Sequence, residues 1–298
     1  NMIPFYIYYS MFGFQRVGDL IWAAGDMQAR GFLLGGTAGR TTLAGEGLQH
    51  QDGHSHLAAA AIPNCRAYDP TFAYELTVIL QNGLERMFRD QENVFYYVTV
   101  MNENYTHPAM PKGVEEGIVR GIYSFRKGSA RRKKRVQLLG SGAILREVNA
   151  AAELLEKEWR IAADVWSVTS FTELARDAQE VERWNRLHPM EKPRTAYVTD
   201  QLAATSGPLL AATDYMRLYA EQLRPALEGR SYRVLGTDGF GRSDTREQLR
   251  SFFEVNRYHV VVAALKALAD EGTVDAELVA QAIQAYHIDP DKPNPVKV

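Results

Sequence analysis

The chain has 298 residues, 46% of them hydrophobic and 23% charged, with a formal net charge of −2 at pH 7. This ordinary globular composition suits about two domains of roughly 100–200 residues each, and it gives no overall attraction to nucleic acid or to an anionic membrane. The single cysteine, Cys65, excludes an internal disulfide framework and fits a reducing cytoplasm, and no apolar run reaches the roughly 20 residues that span a bilayer.

The first hundred residues alternate between strand patterns and helix patterns. The predicted strands are 3–9, 31–34, 64–68 and 94–100, and the predicted helices are 14–28 and 69–87. Asp69 followed by Pro70 is typical of a helix start, and the β-branched and aromatic run from Ile3 to Tyr9 predicts a buried strand. The alternation indicates a parallel α/β sheet. Because a buried strand so near a terminus is unusual, we expect the chain to be part of a larger protein.

A second α/β unit is predicted after a linker. Residues 102–113 contain Pro108 and Pro111 and little periodicity, so we place a boundary between residues 1–110 and residues 111–298. The predicted strands of the second unit are 136–139, 163–168, 195–199, 209–212 and 232–236. Its predicted helices include 144–155, 214–223, 245–253, 258–271 and 275–286, and a further helix is predicted to start at the capping-box pair Ser170 and Glu173.

The segment GEGLQHQDGHSH, residues 45–56, carries the strongest chemical signal. It holds Glu46, His50, His54 and His56 among three glycines, which indicate a loop. Such a loop is usually kept for chemistry, because histidine changes charge near neutral pH and suits proton transfer or metal binding. Glu46 and His50 lie nearest the glycines and are favoured as ligand contacts, whereas His54 and His56 are expected to make supporting hydrogen bonds. A zinc site in a metal-dependent hydrolase is the weaker alternative.

Two further segments follow predicted strands. Tyr9 and Phe12 lie just beyond the first strand, where open α/β sheets bind ligands and where an aromatic ring can stack on a planar ligand. GTDGFGRSD, residues 236–244, has the glycines of an anion cradle but no P-loop lysine, and a structured turn or interface loop is the favoured reading. The basic run RRKKR, residues 131–135, is typical of a solvated loop rather than a nucleic-acid site.

Four strings taken together resemble a known family. YYSMFGFQR, GGTAGRTTLAGEGLQHQDGHSH, TSFTELARD and GTDGFGRSD are similar, in this order, to the homodimeric pyruvate dehydrogenase E1 components of Gram-negative bacteria. The resemblance runs over essentially the whole chain. It implies a transketolase-like α/β fold, in which part of the middle, pyrimidine-binding domain with its parallel sheet is followed by the transketolase C-terminal-like domain.

The resemblance also implies an activity and its residues. Thiamin diphosphate and magnesium would serve oxidative decarboxylation of pyruvate, and the two-carbon unit would pass to the lipoyl group of the E2 dihydrolipoyl acetyltransferase. Phe12 matches the position that stacks on the aminopyrimidine ring, and Tyr9 lies near that ring and the bound substrate. His50 matches a hydrogen-bond donor to the substrate adduct, and Glu46 matches a member of the proton-transfer network. The protein would be a cytoplasmic homodimer, with no nucleic-acid or membrane partner.

Some of the family's cofactor residues have no counterpart in this sequence. The glutamate that contacts the pyrimidine nitrogen should lie before Asn1, and no Gly-Asp-Gly motif for the diphosphate and magnesium occurs. We therefore expect the isolated chain to bind no cofactor and to be inactive. A module that serves only folding or interaction is a competing interpretation. Helix 14–28, with Trp22 and Met27 beside its main apolar stripe, is a candidate dimer surface.

Overall fold

The computed structural model describes residues 2–47 and 49–298 and contains two sheets flanked by helices. The strands are β1 (Phe5–Tyr9), β2 (Phe32–Gly36), β3 (Cys65–Tyr68), β4 (Phe95–Thr99), β5 (Ile122–Arg126), β6 (Arg135–Gly140), β7 (Ala162–Val168), β8 (Leu209–Ala212) and β9 (Tyr232–Leu235). The helices are α1 (Ser10–Asp26), α2 (Ser55–Ala60), α3 (Ala73–Leu84), α4 (Glu115–Arg120), α5 (Ile144–Lys157), α6 (Phe171–Leu187), α7 (Tyr197–Ala203), α8 (Leu218–Glu221), α9 (Arg246–Phe252), α10 (Arg257–Asp270) and α11 (Ala276–Ala285).

The first sheet is parallel throughout, as predicted, and has the strand order β1-β2-β4-β3. The second sheet has the order β5-β7-β6-β8-β9, and only its edge strand β5 runs antiparallel. Strand β4 of the first sheet and strands β7 and β8 of the second are buried on both faces, which is the arrangement that α/β packing produces. The predicted division of the chain at residue 110 stays a prediction.

The first strand is not buried, contrary to the expectation from its composition. The side chains of Phe5, Tyr6 and Ile7 are between 47% and 66% exposed. Within the described residues β1 pairs only with β2, so it forms a sheet edge. Composition alone cannot separate an edge strand from a central one, because both favour β-branched and aromatic residues.

Three of the predicted elements differ from the structure. Residues 195–199, predicted as a strand, lead into helix α7, because a short apolar run does not distinguish the two states. Of the predicted helix 214–223, only α8 is regular α-helix. Helix α3 begins at Ala73 rather than at Asp69, because the Asp69 carboxylate bonds to Thr99 instead of capping a helix. Helix α4 and strand β5 have no counterpart among the predicted elements.

Buried polar contacts join the two sheets. The carboxylate of Glu75 on α3 accepts hydrogen bonds from the hydroxyls of Tyr123 and Ser167, at 2.6 Å each, and from the amide of Phe72 at 3.0 Å. Thr71 donates to the carbonyl of Gly142 across the same boundary. Burial raises the pKa of Glu75, although these hydrogen bonds act in the opposite direction. The carboxyl ends of the first sheet are thereby fixed against the second sheet.

An apolar core lies between the second sheet and two of its helices. Helices α5 and α10 pack on the second sheet around fully buried Leu138, Leu145 and Val165. Among residues 2–47 and 49–298, no helix has both the length and the apolar character needed to cross a bilayer.

Candidate active site

The candidate site lies where strands of the first sheet end. Strand β1 ends at Tyr9, and helix α1 begins at the next residue, so Phe12 projects from the first turn of that helix. A side chain at Gly13 would collide with the ring of Tyr8, so glycine is needed for this close strand-to-helix turn. The segment that follows β2 brings His50 to the same place. The carboxyl edge of a parallel sheet is where such folds bind ligands.

Three aromatic rings form the centre of the site. The centroid of the His50 ring lies 5.7 Å from that of Tyr9 and 5.1 Å from that of Phe12, in edge-to-face arrangements. The rings of Tyr9 and Phe12 lie 5.9 Å apart, and the guanidinium of Arg16 lies 4.2 Å from the Phe12 ring. The three predicted aromatic residues therefore meet, although His50 is about forty residues away from the other two in sequence.

The fourth predicted residue, Glu46, joins the same cluster. Its Oε2 lies 3.5 Å from Nδ1 of His50, close enough for electrostatic attraction, and the two side chains are 47% and 28% exposed. Their geometry does not make a hydrogen bond. A partly exposed imidazole beside a carboxylate retains the capacity to exchange a proton with a ligand.

The other two histidines of the loop point elsewhere. Nε2 of His54 lies 2.8 Å from the side-chain amide of Gln15 on α1. His56 is fully buried, its ring stacks on Tyr219 with centroids 4.6 Å apart, and its Nε2 lies 3.1 Å from the hydroxyl of Thr99. Burial lowers the pKa of His56 to about 4, so this imidazole is neutral at pH 7.

The predicted zinc alternative is not supported by this placement. His50, His54 and His56 have three separate sets of neighbours. In the part of the chain that the structure describes, no three His, Cys, Asp or Glu side chains converge as a metal-binding group.

The site loop is held by an aspartate that the sequence analysis did not identify. The carboxylate of Asp214, fully buried after β8, accepts hydrogen bonds from the backbone amides of Thr41 and Thr42 at 2.9 and 3.1 Å. It also accepts from both threonine hydroxyls, at 2.6 and 2.7 Å. Burial raises the pKa of Asp214, and these hydrogen bonds counteract that effect. No local motif could reveal this contact, because the partners are more than 170 residues apart.

The glycine-rich segment 236–244 contacts both the opposite end of the loop, at Gln51, and its centre, at Gly45. The side-chain amide of Gln51 donates to the carbonyl of Leu43 at 2.7 Å and accepts from the backbone amide of Arg242 at 2.8 Å. Gly45 donates to the carbonyl of Asp244, at 3.0 Å. The interface-loop reading of GTDGFGRSD is thus the one the structure supports. The histidine-rich loop is fixed by residues of the second half of the chain.

Family models and relatives agree with this architecture. Residues 1–108 match the pyruvate dehydrogenase E1 component middle domain, and residues 121–256 match the transketolase-like C-terminal domain. The pyruvate dehydrogenase E1 component of Cupriavidus necator is 65% identical over 299 aligned residues, which cover 100% of this chain and 33% of the relative. That of Escherichia coli K12 is 62% identical over 99% of this chain and 33% of its own length.

Solved structures of transketolases share the fold. Transketolase from Leishmania mexicana superposes with a TM-score of 0.66 at 17% identity, covering 90% of this chain and 34% of its own. A split-gene transketolase, described as an inactive β4 tetramer, gives a TM-score of 0.64 at 18% identity, over 90% of this chain and 77% of its own. The chain spans about a third of the length of the curated relatives that it matches. It belongs to the pyruvate dehydrogenase E1 component family and has that family's transketolase-like fold.

Proposed function

We propose that this chain supplies one side of a thiamin diphosphate site in a pyruvate dehydrogenase E1 component. The protein would decarboxylate pyruvate oxidatively and reductively acetylate the lipoyl group of E2, as a cytoplasmic enzyme. The observation that carries the proposal is the convergence of Tyr9, Phe12, Glu46 and His50 at the carboxyl edge of the parallel sheet. Two of these residues lie at the junction of β1 and α1, and the other two lie in the loop that follows β2.

The aromatic residues fit the pyrimidine half of the cofactor. Phe12 is partly exposed and Tyr9 is 42% exposed, so both rings can reach a bound planar ring. The diphosphate and its magnesium need a separate set of oxygen ligands. We assign that set to polypeptide outside this chain, because the family's Gly-Asp-Gly motif does not occur in the sequence.

The polar residues would act on the substrate side. Bound thiamin diphosphate supplies the carbanion chemistry by which 2-oxo acids lose carbon dioxide. His50 would donate a hydrogen bond to the developing oxyanion of the substrate, and the Glu46 carboxylate, 3.5 Å from Nδ1 of His50, would help to hold the imidazole in place. The Tyr9 hydroxyl would orient the substrate from the other side of the His50 ring. All three roles need residues that are accessible to a ligand, as these are.

A cofactor titration tests the proposal. The protein to use is the longest natural polypeptide that contains this sequence, hereafter the parent polypeptide. We expect Phe12→Leu to weaken thiamin diphosphate binding at least tenfold in calorimetry with magnesium present, because the stacking ring is lost. Phe240→Leu is the matched control, since Phe240 is 79% exposed and outside the cluster. Equal affinities for the two variants would contradict the placement of the cofactor.

The chain by itself is expected to bind no cofactor and to show no turnover. Residues for the diphosphate and the pyrimidine nitrogen are assigned above to other polypeptide. Calorimetric titration of the purified chain with thiamin diphosphate and magnesium, beside the parent polypeptide, provides the check. Tight binding by the chain alone would show that its own residues complete the site.

Helix α1 is proposed as a contact with a second copy. Leu20 and Trp22 on this helix are 64% and 52% exposed, and Met27, directly after its last residue, is 74% exposed. Large apolar side chains grouped on one helix are typical of a surface that a partner covers. We expect Trp22→Glu to shift the parent polypeptide from dimer to monomer in analytical ultracentrifugation, and an unchanged dimer would place the interface elsewhere.

A further inference from the structure

A large polar cavity lies in the second half of the chain, away from the four proposed site residues. It has a volume of about 740 Å³ and is bounded by α5, α9, the start of α10 and residues 286–292. Glu103, which follows β4, reaches it from the first half. Four of its lining residues are arginines, and they are Arg146, Arg246, Arg250 and Arg257.

The arginines outnumber the carboxylates with which they pair. Glu103 accepts from Arg146 at 2.6 Å and also from Arg250. Glu147 accepts from Nε of Arg257 at 2.9 Å. Burial alone would raise the pKa of both glutamates, but the adjacent guanidinium groups outweigh burial and lower it. Both carboxylates are therefore ionised at pH 7. Lys292, Glu247 and Asp289 line the cavity too, so five positive groups face four negative ones and the lining has a net charge of about +1.

Three of the arginines keep unused hydrogen-bond donors. Arg146 donates to Glu103 from one terminal nitrogen, and Arg257 donates to Glu147 from Nε and one terminal nitrogen. Arg246 donates to the carbonyls of Thr42 and Asn102. Among the described residues, each guanidinium has at least one terminal nitrogen without an acceptor. The three side chains are 36%, 43% and 32% exposed. Guanidinium groups with free donors are the preferred partners of phosphate oxygens.

Aromatic rings form another part of the cavity wall. Tyr258 and Tyr286 both line it, and their ring centroids are 4.8 Å apart. Tyr258 is 41% exposed, so its ring can contact a planar ligand. The exposed carboxylates of Glu247 and Asp289 also line the cavity, and they are screened by solvent.

We infer that this cavity binds an organic phosphate that carries at least two negative charges and a planar ring. The phosphate oxygens would contact Arg146, Arg246 and Arg257, and the ring would contact Tyr258 and Tyr286. Neither the cavity nor its residues depend on the proposed function, so the inference stands apart from it.

Calorimetric titrations of the parent polypeptide with pyrophosphate and with adenosine diphosphate, at constant ionic strength, test the inference. We expect saturable binding of one adenosine diphosphate per chain, at least tenfold tighter than pyrophosphate because only the nucleotide has a ring. Equal affinity would overturn the assignment of the tyrosines. Absence of saturable binding of either ligand would overturn the site.

Charge-removing variants locate the binding. Arg257→Gln and Arg146→Gln should each weaken adenosine diphosphate binding at least tenfold. Arg233→Gln is the control. It removes the same charge outside the cavity, where Arg233 pairs with Asp270 at the surface, and it should leave the affinity for adenosine diphosphate unchanged. Arg257→Lys keeps the positive charge but loses the planar guanidinium group. Its affinity for adenosine diphosphate should lie between that of Arg257→Gln and that of the unaltered protein. Unchanged affinity in both cavity variants, with unfolding curves that match the control, would overturn the proposal.

Discussion

The segment between β2 and α2 has fixed ends and an exposed centre. Residues 40–43 and 51–53 are buried, whereas Gly45 and Glu46 are exposed and His50 is partly exposed. The polar groups of the ends are used structurally, as the contacts of Asp214 and Gln51 show. Glu46 and His50 in the centre have no side-chain hydrogen bonds within the described residues. The contacts of its two ends thus set the position of the loop. The side chains of Glu46 and His50 in its centre are left free to contact a ligand.

Removing the Asp214 carboxylate should have the largest effect on this arrangement. Asp214→Ala leaves two buried amides and two buried hydroxyls without their acceptor, and we expect a loss of about 3–5 kcal/mol in unfolding free energy. Urea denaturation measures this loss in unfolding free energy. Asp270→Ala is the control, because Asp270 pairs with Lys266 and Arg233 at the surface, where ion pairs contribute little, and its loss should leave the unfolding free energy almost unchanged. Equal losses would mean that the ends of the loop are held by something else.

The pH dependence of stability sharpens the comparison, because folding shifts the pKa values of two buried groups behind the loop in opposite directions. The pKa of Asp69 is raised and the pKa of His56 is lowered. The Thr99 hydroxyl contacts both Asp69 and His56. Burial raises the pKa of Asp69 to about 7, so between pH 4 and 7 the folded state holds a proton that the unfolded state has lost. Burial lowers the pKa of His56 to about 4, so between pH 4 and 6.5 the unfolded state holds the extra proton.

The two contributions to the pH dependence therefore oppose each other. The raised pKa of Asp69 makes the free energy of unfolding fall as pH rises, whereas the lowered pKa of His56 makes it increase as pH rises. We expect Asp69→Asn to steepen the rise in unfolding free energy between pH 4.5 and 6.5, by up to about 1.4 kcal/mol per pH unit. Urea denaturation at several pH values gives the slope. A slope equal to that of the unaltered chain would contradict the assigned pKa of Asp69.

A smaller effect is expected at the other end of the loop. Gln51→Leu removes one donor and one acceptor but keeps most of the side-chain volume, so we expect a loss of about 1–3 kcal/mol. The control is Gln179→Leu, since Gln179 on α6 is exposed and its replacement should change the unfolding free energy by less than about 0.5 kcal/mol. Thermal unfolding of the two variants distinguishes them. Similar values would show that the bridge from Gln51 to Arg242 contributes little.

Local sequence patterns predicted much of the secondary structure. They could not predict contacts between residues that are far apart in the sequence. The alternation of strand and helix patterns predicted the parallel first sheet, which the structure confirms, and the string around His50 indicated the loop of the proposed site. The exposure of β1 was not predictable, because it depends on which strands lie beside it. The roles of Asp214 and Gln51 depend on partners about 170 to 190 residues away. Asp69 was taken for a helix cap, which its contact with Thr99 prevents.

The central claim is that the exposed centre of the loop carries chemistry while its ends carry stability, and His50→Gln in the parent polypeptide tests it most directly. We predict that pyruvate turnover falls by about 10²- to 10⁴-fold, while unfolding free energy changes by less than about 1 kcal/mol. His188→Gln, at an exposed residue after α6, should affect neither quantity. Normal turnover in His50→Gln, or a loss explained by unfolding, would contradict the account.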